Sequence, residues 1–441
     1  MKKVALIGNM NNNFFALARH LRDRGFDAHV FFRPAAEHFH PKADTFDLSD
    51  LNYCHEVDWF SIPDIVSAND QVLRDLDGFD FLIGCGDEAA MVSRAGATLD
   101  IYVPYGSDIY KYAHLPHDYT WHVKLRSILG LPGLPRYKNL KYGTLSRYIY
   151  QAIKHARYIW WDYANEEVDS HLYKINPHGT ILRYPVPFIY PKSYERLSNK
   201  TTNRDVHWGS IIETIRIENE FLLLYHGRQE WANTETYRNN HFSNKNTHHL
   251  ILGFSEFIKS NPKSDARLIM IEYGGGVQMS KQLVRELELK ERVIWFPLMY
   301  RKDIINLINN VDVCCGEFAK SYITFGTIVE AMLMGKPILH YRDDELYKDK
   351  YQSLYPLYNC REPSEIAACL EDALHDKERR IEIGKAAQEW VNRYIIEKPL
   401  SVMTSIISGT YVKPCRANST VGLRGEKFYV NRHERTNKTC E

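Results

Sequence analysis

The sequence has no excess of charge of either sign. Its 441 residues include 56 Lys and Arg against 55 Asp and Glu, which leaves a formal net charge of +1. A nucleic-acid-binding protein usually shows a basic excess or a recognised binding motif. Neither is present, so we predict no nucleic-acid partner, and any basic function must come from local clustering of Lys and Arg.

Long apolar runs and paired cysteines are also missing. No run approaches the roughly 20 apolar residues of a membrane-spanning helix, and the apolar run at residues 4–7 is too short for a signal peptide. The eight cysteines form no Cys-x-x-Cys pair, and Cys314 and Cys315 lie in a predicted buried strand. This usage is typical of reduced thiols, so we expect a cytoplasmic protein.

The dinucleotide-binding fingerprint Gly-x-Gly-x-x-Gly is missing too, because Gly8 is followed by Asn-Met-Asn, which argues against an NAD site. A strand–helix–strand pattern nevertheless surrounds Gly8. Residues 4–7 and 28–32 are predicted strands, and residues 14–24 are a predicted helix between them. Gly8 and Asn9 then begin a loop at the ligand-binding end of a βαβ unit, which makes both of them candidate ligand-binding residues.

A second candidate loop follows the predicted strand at residues 101–104, where Gly106 and Ser107 precede Asp108. A carboxylate lifted out of a strand end can act as an acid or base, or bind hydroxyl groups. Ser107 or Asp108 can equally well cap the helix that follows. The sequence does not decide between these roles, and Asp108 stands as a candidate catalytic residue.

Residues 119–161 contain no acidic residue and carry eight basic ones, interleaved with aromatic and aliphatic side chains. Such a stretch suits an anionic membrane surface or a phosphorylated lipid, and predicts peripheral association with the inner face of the cell membrane. A solvated face over a loop insertion explains any single charge as well. Nucleic acid is a third alternative without a supporting motif. The eight basic residues are Lys124, Arg126, Arg136, Lys138, Lys141, Arg147, Lys154 and Arg157.

Strands and helices alternate through the second half of the chain, which predicts a doubly wound parallel sheet. A chain of 441 residues is longer than one core usually supports, so two domains are expected. We predict a first domain over residues 1–195, a linker or excursion over 196–220, a second domain over 221–395, and a C-terminal tail over 396–441.

Within the second domain, a helix is predicted to begin at Gly326 and to end at Gly335. Its N-terminus, with Gly326 and Thr327, offers free backbone N–H groups and a positive dipole end to a phosphate. Glu330, one turn inside the helix, could accept hydrogen bonds from sugar hydroxyls. A nucleotide-sugar site needs this combination, and the alternative is an ordinary surface helix whose only acid is solvated.

Two basic residues lie in loops at the same end of the predicted sheet. Arg228 follows the predicted strand at residues 221–225, and Lys245 precedes the helix predicted over residues 247–259. A guanidinium and an ammonium that converge there would clamp a diphosphate and neutralise the charge on a leaving nucleoside diphosphate. Each alone is more often a surface charge, but together with Glu330 they form a set.

These motifs resemble those of the retaining GT-B glycosyltransferases of the "glycosyl transferases group 1" type, relatives of glycogen synthase and sucrose synthase. The resemblance covers about residues 223–392 and extends, with less specificity, over residues 1–110. It rests on His226-Gly-Arg228 with the later Lys245, on Gly274-Gly-Gly276, and on the run from Val329 to Pro337, which reads Val-Glu-Ala-Met-Leu-Met-Gly-Lys-Pro.

The resemblance implies an α/β protein of GT-B architecture, with two Rossmann-like doubly wound parallel-sheet domains facing each other across a cleft. A final helix at residues 378–394 is expected to cross back to the first domain. Arg228 and Lys245 are expected to grip the donor diphosphate, Glu330 to bind the ribose hydroxyls, and Asp108 to orient the acceptor or stabilise an oxocarbenium-like charge. The reaction is expected to retain anomeric configuration, with no metal and no cofactor besides the nucleotide-sugar co-substrate.

The sequence departs from the family pattern at three positions. The family's second glutamate would stand at Tyr322, so Glu317 and Phe318 are candidates to take over its sugar-binding role. Where the family has a lysine–glycine pair, this chain has Lys245 followed by an asparagine. Where the family has a histidine before Gly-Ser-Asp, this chain has Tyr105.

The sequence therefore predicts a glycosyltransferase that moves a sugar from a nucleotide-diphosphate donor to a cell-surface glycan or a lipid-linked acceptor. One alternative is a sugar-nucleotide epimerase, since such enzymes share the fold. Another is a binding or scaffolding protein that has lost donor chemistry, which Tyr322 favours. Arg228, Lys245 and Glu330 argue for the enzyme, because a scaffold does not need all of them.

Overall fold

The computed structural model describes residues 1–34, 37–49, 51–59, 70–110, 137–162, 166–198, 208–231, 244–321, 323, 326–348 and 350–412. Within them the chain forms one seven-stranded and one six-stranded sheet. Every strand pair in both sheets is parallel. Two α/β domains of GT-B architecture are therefore present, as the sequence predicts.

The N-terminal domain contains the seven-stranded sheet. In spatial order its strands are β3 (Cys54–Glu56), β2 (Asp27–Phe32), β1 (Lys3–Ile7), β4 (Phe81–Gly84), β5 (Ile101–Tyr102), β6 (Tyr158–Trp160) and β7 (Thr180–Leu182). Its described helices are α1 (Asn13–Arg22), α2 (Gln71–Asp75), α3 (Gly86–Arg94), α4 (Ser107–Tyr110), α5 (Tyr137–His155) and α6 (Glu166–Ile175). The strand order reverses direction between β1 and β4, which places a crevice beyond the carboxyl ends of these two strands.

The C-terminal domain repeats this arrangement with six strands. In spatial order they are β10 (Val293–Phe296), β9 (Ala266–Ile271), β8 (Phe221–Tyr225), β11 (Val313–Cys315), β12 (Ile338–His340) and β13 (Tyr358–Asn359). Its described helices are α8 (Thr247–Ser260), α9 (Val277–Glu286), α10 (Arg301–Asn309), α11 (Gly326–Leu333), α12 (Pro363–His375) and α13 (Lys377–Val391). The corresponding crevice lies beyond β8 and β11.

Segments of 3-10 helix connect several of these elements: Met10–Asn12, Glu37–Phe39, Pro41–Ala43, Pro191–Ser198, Lys290–Arg292 and Asp344–Leu346. One apolar cluster joins the two domains, because it contains Val4 and Leu6 of β1 together with Leu222 and Leu224 of β8. The outer face of each sheet has its own buried cluster. The interface between the domains is therefore continuous with the core.

The carboxyl edges of the two sheets face each other. Glu37, in the segment after β2, accepts a hydrogen bond from Tyr300, which follows β10, at 2.7 Å. On another side of the cleft, Lys350, which follows β12, donates to Asp162, which follows β6, at 2.9 Å. Loops that follow strands of one domain thus contact loops that follow strands of the other, which brings the two crevices into one cleft.

The chain returns to the N-terminal domain after the helix at residues 378–394, which was predicted to make this crossing. A π-helical turn, Asn392–Glu397, joins α13 to α14 (Lys398–Ser408). Lys2 donates to the carbonyl of Ile407 at 2.7 Å, and Arg24 pairs with Glu397 at 2.8 Å. Residues 396–412 therefore belong to the folded body rather than to a tail. Pro399 does not end the helix, because it lies in the first turn of α14, where no N–H is needed.

Part of the predicted linker is also helical. Helix α7 (Gly209–Glu218) precedes β8. Ile212 in this helix is 1% exposed, whereas Ile211 is 46% and Ile217 is 76% exposed. Because apolar residues lie on both faces, the segment shows no clear helical period. Residues 199–207, the other part of the predicted excursion, lie outside the described residues.

The basic stretch is described only in its second half, since residues 111–136 lie outside the described ranges. There α5 packs into the N-terminal domain through Leu145, Ile149 and Ile153, all of which are buried. Arg147 and Lys154 are exposed. None of the helices in the described ranges is both long enough and apolar enough to span a bilayer.

Candidate active site

The crevice of the C-terminal domain is bordered by the loop after β8 and the loop after β11. Arg228 lies in the first loop, and its guanidinium lies over the ring of Tyr273 at 5.6 Å. The backbone of this loop is fixed by the glycine run, because Gln229 donates to the carbonyl of Tyr273 and accepts from the N–H of Gly276, both at 2.7 Å. A Cβ on Gly274 would lie 2.6 Å from the nitrogen of Gln229. Only glycine therefore allows this approach.

Lys245 lies beside Arg228 in the same crevice. Its backbone N–H donates to the carbonyl of Glu230 at 2.7 Å, and its carbonyl accepts from the N–H of Phe318 at 3.2 Å. Its ammonium pairs with the carboxylate of Glu317. Burial and the positive charge of Arg228 lower the pKa of Lys245, to about 7, while nearby Glu230 opposes the shift. The two cations predicted to bind the diphosphate are thus close enough to repel each other.

The asparagine after Lys245 fits a position where the family has glycine. Asn246 has φ of 48°, in the left-handed region, and it precedes α8. Glycine adopts this conformation most easily, and asparagine is one of the residues that tolerates it. Asparagine in place of the family's glycine is therefore compatible with the conformation of this loop.

Glu330 is buried one turn inside α11, with 8% of its surface exposed. His226 bonds one of its oxygens at 3.0 Å, and the Nε of Arg301 pairs with the other at 3.1 Å. Burial raises the pKa of Glu330, but His226 and Arg301 outweigh burial and leave it below its usual value. A carboxylate has about four acceptor positions. The anion can therefore still accept hydroxyl donors.

The remaining predicted donor residues differ in what they can offer. Glu317 is 5% exposed and occupied by Lys245, whereas Phe318 is fully buried. The ring of Phe318 belongs to the core of the C-terminal domain, which leaves its backbone groups for any ligand contact. Gly326 and Thr327 begin α11, and Gly326 faces the other domain, because a Cβ there would lie 3.8 Å from the ring of Phe188. Tyr322 lies outside the described residues.

A third cation, Lys320, was missed by the sequence interpretation. Its positive charge lowers the pKa of Lys245, so it lies near that ammonium. Burial lowers the pKa of Lys320 as well. It follows β11 in the same loop as Glu317, and nothing in its sequence context distinguishes it from a surface lysine.

The loops of the N-terminal domain are braced by their own side chains. Gly8 has φ of 101°, and a Cβ there would lie 2.5 Å from the sulfur of Cys85. Asn9 donates to Asn12 at 2.8 Å and to the carbonyl of Phe39 at 2.9 Å. Its side-chain oxygen accepts from the N–H of Phe15 at 3.0 Å. These three hydrogen bonds within the protein occupy the side chain of Asn9, which limits the ligand contact predicted for it.

Asp108 serves the loop in which it lies. Its carboxylate accepts from the hydroxyl of Tyr102 at 2.8 Å, and from the N–H groups of Tyr105 at 3.0 Å, Gly106 at 2.8 Å and Ile109 at 3.0 Å. Asp108 is 3% exposed. Of the two roles left open by the sequence, this geometry favours the structural one, in which Asp108 fixes the loop after β5.

Glu88 is a second side chain that the sequence interpretation missed. It lies in the first turn of α3, at the crevice of the N-terminal domain, and is 9% exposed. One carboxylate oxygen lies 3.4 Å from the point where a Cβ of Gly8 would be. Arg33 approaches the other at 3.5 Å. Burial raises the pKa of Glu88 to about 7, although Arg33 opposes the shift. The sequence signal for Glu88 is its position directly after Gly-Cys-Gly-Asp, at the predicted start of a helix.

Deprotonation of Glu88 should lower the free energy of unfolding as pH rises. Its pKa is about 7 in the folded protein against 4.5 ordinarily, so between these values the folded state keeps a proton that the unfolded state releases. We expect Glu88→Gln to gain up to about 3 kcal/mol in free energy of unfolding over the parent as pH rises from 4.5 to 8. Urea unfolding at both pH values measures this.

The charged and titratable groups facing Glu88 are Arg33, Asp87, Cys85 and Tyr105. Glu371→Gln is the matched control, since Glu371 is exposed on α12. An equal pH response of the Glu88 and Glu371 variants would show that Glu88 titrates as an ordinary surface acid.

The fold and the crevice define the class of protein. Two Rossmann-like domains with their carboxyl edges facing across a cleft are the GT-B architecture. Residues 233–390 match the model of the family described as glycosyl transferases group 1. This region contains Lys245, Glu317 and Glu330. The match and the fold together confirm the resemblance to GT-B glycosyltransferases of this type, and retention of anomeric configuration stays a prediction.

Solved structures share the fold at low sequence identity. HepE (Alr3699) from Anabaena, in complex with UDP, is 16% identical, with a TM-score of 0.54 over 92% of this chain and 100% of that chain. Sucrose-phosphate synthase from Thermosynechococcus elongatus is 12% identical, with a TM-score of 0.53 over 93% and 98%. UDP-GlcNAc 2-epimerase from Neisseria meningitidis, bound to UDP-GlcNAc, is 13% identical, with a TM-score of 0.51 over 93% and 100%. No curated protein matches the chain by sequence.

Proposed function

We propose that this protein is a retaining glycosyltransferase that transfers a sugar from a nucleoside diphosphate donor to a cell-surface glycan or a lipid-linked acceptor. The observation that carries the proposal is the arrangement of Arg228, Lys245 and Glu330 around one crevice, where the strand order of the C-terminal domain reverses. Crevices of this kind are where α/β sheets bind ligands. The match of residues 233–390 to the glycosyltransferase family supports the same interpretation.

In the proposed complex the donor diphosphate lies between Arg228 and Lys245. Negative charge grows on the diphosphate as the bond to the sugar breaks, and fixed cations stabilise that charge more in the transition state than in the ground state. Glu317 now neutralises Lys245, and in the complex the diphosphate would share that ammonium. These cations perform the neutralisation for which other enzymes use a divalent ion, so we propose a reaction without metal.

The nucleoside end of the donor is proposed to lie at Glu330. The carboxylate is held by His226 and Arg301 and keeps acceptor positions for the ribose hydroxyls. The other ring nitrogen of His226, Nδ1, is buried and lacks a hydrogen-bond partner among the described residues. A buried polar atom of this kind is usually satisfied by a ligand or a water. It is a further group that can contact the donor.

The proposal is tested by product analysis. Nucleoside diphosphates and their sugars are first screened by thermal shift, because a ligand that binds only the folded state raises its melting temperature. The best donor is then incubated with the protein, with and without EDTA, and NMR follows the anomeric proton of the released sugar. Release of nucleoside diphosphate and a first-formed sugar with the donor's configuration, unaffected by EDTA, is expected. Inversion would contradict retention, and inhibition by EDTA would contradict metal independence.

The epimerase alternative is supported by the shared fold of the UDP-GlcNAc 2-epimerase from Neisseria meningitidis. The same NMR experiment separates the two functions. An epimerase would convert the nucleotide sugar into a second nucleotide sugar and leave the bond to the diphosphate intact in the product. A scaffolding protein would give neither product nor a nucleotide-dependent change in melting temperature.

We also propose that residues 119–161 associate with an anionic membrane on the cytoplasmic side of the cell. The support is the run of basic residues without an acidic one, with Arg147 and Lys154 exposed on α5. We expect co-sedimentation with vesicles that contain anionic lipid but not with neutral vesicles, because each basic residue near such a surface adds about 1 kcal/mol.

Neutralising Lys138, Lys141 and Arg147 together should release the protein from these vesicles. The matched control replaces three exposed lysines of the C-terminal domain, Lys263, Lys377 and Lys385. Equal binding to neutral and anionic vesicles, or equal loss of binding in both triple variants, would contradict a membrane role for this stretch.

A further inference from the structure

Arg301 connects the two domains at the proposed donor site. It is the first residue of α10 in the C-terminal domain, and its side chain is 13% exposed. The guanidinium donates from Nη1 to the carbonyl of Phe188 in the N-terminal domain at 3.0 Å. The same Nη1 lies 3.5 Å from Oδ1 of Asp44, also in the N-terminal domain. Its Nε lies 3.1 Å from Oε1 of Glu330, in its own domain.

The N-terminal end of this connection is a rigid anchor. Asp44 is fully buried. Besides Arg301 it pairs with Arg19 at 2.8 Å and accepts from the hydroxyl of Tyr194 at 2.7 Å. Burial raises the pKa of Asp44, while Arg301 and Arg19 oppose the shift. A buried carboxylate with two cationic partners and a hydroxyl donor has little freedom to follow a movement of the other domain.

The other end of the connection is the carboxylate of Glu330. Its two oxygens are held separately, Oε2 by His226 and Oε1 by Arg301. His226 belongs to the loop before Arg228, so one contact fixes the carboxylate to the proposed donor loop. Arg301 fixes it to the N-terminal domain through Asp44 and Phe188. The orientation of Glu330 therefore depends on how the two domains are packed.

We propose that Arg301 is a positioning residue that couples donor binding to the packing of the two domains. It orients Glu330 for the ribose hydroxyls only while its other contacts hold the N-terminal domain in place. Because coupling of this kind is reciprocal, a nucleotide bound at Glu330 would stabilise the contacts of Arg301 with Asp44 and Phe188. The inference rests on the proposed function, since it takes Glu330 as a nucleotide-binding group.

A purely structural ion pair makes a different prediction. It would stabilise the interface equally with and without nucleotide, and its loss would lower stability without changing the affinity of the folded protein. The position of Arg301 argues against this, because one guanidinium contacts both the anchor and Glu330. Lysine cannot reproduce the contacts, since its single ammonium lacks the planar fork that reaches separate acceptors.

The test measures the affinity of Arg301→Lys for the nucleoside diphosphate, out of UDP, GDP, ADP and CDP, that binds the parent best by calorimetry. We expect a loss of at least fivefold, since couplings between sites are typically about 5- to 150-fold. Asp44→Asn should also lose affinity, although Asp44 lies outside the proposed donor site. Arg24→Lys is the matched control, because Arg24 forms its own long-range ion pair with Glu397, at 2.8 Å, away from the contacts of Arg301 with Asp44 and Glu330.

Hydrogen exchange supplies a readout that a structural role would not change. In the parent, the nucleotide should slow exchange at residues 186–194, which include Phe188 and Tyr194, and this protection should be lost in Arg301→Lys. If Asp44→Asn does not fold, Arg301→Lys alone decides. If the parent binds the nucleotide, and Arg301→Lys and Arg24→Lys both bind it with the parent's affinity and show the parent's protection from exchange, the inference is overturned. The proposed function would stand in that case. A parent that binds none of the four would overturn the proposed function, and the inference with it.

Discussion

Arg228→Ala and Lys245→Ala are each expected to lower the rate of sugar transfer, or of donor hydrolysis without an acceptor, on the order of 100-fold. Both cations would stabilise charge that grows on the leaving diphosphate, so their loss should act on the chemical step more than on donor binding. The side chain of Arg228 is exposed, but the backbone of its loop is fixed by hydrogen bonds of Gln229 with Tyr273 and Gly276. The backbone that carries the guanidinium is thus in place before the donor arrives.

Arg228→Lys should be almost as harmful as Arg228→Ala, because an ammonium cannot make the two parallel bonds of a guanidinium to a diphosphate. Lys281→Ala serves as the control, since Lys281, on α9 of the same domain, is a cation that pairs with Glu272 at 2.7 Å. Initial rates at saturating donor provide the measurement. Rates for the Arg228 and Lys245 variants equal to that of Lys281→Ala would place the diphosphate elsewhere.

Glu330→Gln is expected to weaken nucleoside diphosphate binding by roughly 1–3 kcal/mol, the cost of losing a hydrogen bond to a charged group in a partly dry site. The amide keeps the size of the side chain but cannot accept at both ends, and it removes the charge that Arg301 faces. Calorimetric titration of the nucleotide measures the effect.

The matched control for this titration is Glu286→Gln, at an exposed acid of α9 that accepts a hydrogen bond from Gln282 within the same helix. Circular dichroism of both variants separates lost affinity from lost folding. Should Glu330→Gln bind nucleotide like the Glu286 variant while remaining folded, the ribose does not lie at Glu330.

The position of the candidate site was predictable because topology determines it. Parallel strands joined by helices place all their carboxyl ends at one edge, and ligands bind where the strand order reverses. Arg228 follows β8 and Glu317 follows β11, the two strands on either side of that reversal. The sequence pattern of strands and helices was therefore sufficient to bring these residues together before any contact was known.

The partners of the predicted residues were not predictable, because they come from distant parts of the chain. Asp44 and Arg301 are 257 residues apart, and their contact depends on the packing of two domains. Asp108 shows the same limit at short range, since its carboxylate could serve a loop or a substrate, and only the N–H groups around it distinguish these roles. Glu88 was overlooked because an acid in the first turn of a helix is common.

The end of the chain shows a third limit. Pro399 and the irregular turn before it interrupt the pattern of a single helix, although Leu400, Met403 and Ile407 are buried at helical spacing. The helical pattern of residues 398–408 is therefore clear only once the N-terminal domain is present to cover this face. Local propensity is a weak guide where burial against another domain determines the conformation.

The central claim is that Arg228, Lys245 and Glu330 form one donor site, and a crystal structure with the best-bound nucleoside diphosphate tests it most directly. The account predicts diphosphate oxygens about 3 Å from the guanidinium of Arg228 and the ammonium of Lys245. It also predicts ribose hydroxyls hydrogen-bonded to Glu330, with Arg301 still in contact with Asp44. A nucleotide bound outside the crevice between β8 and β11, or with its ribose away from Glu330, would contradict it.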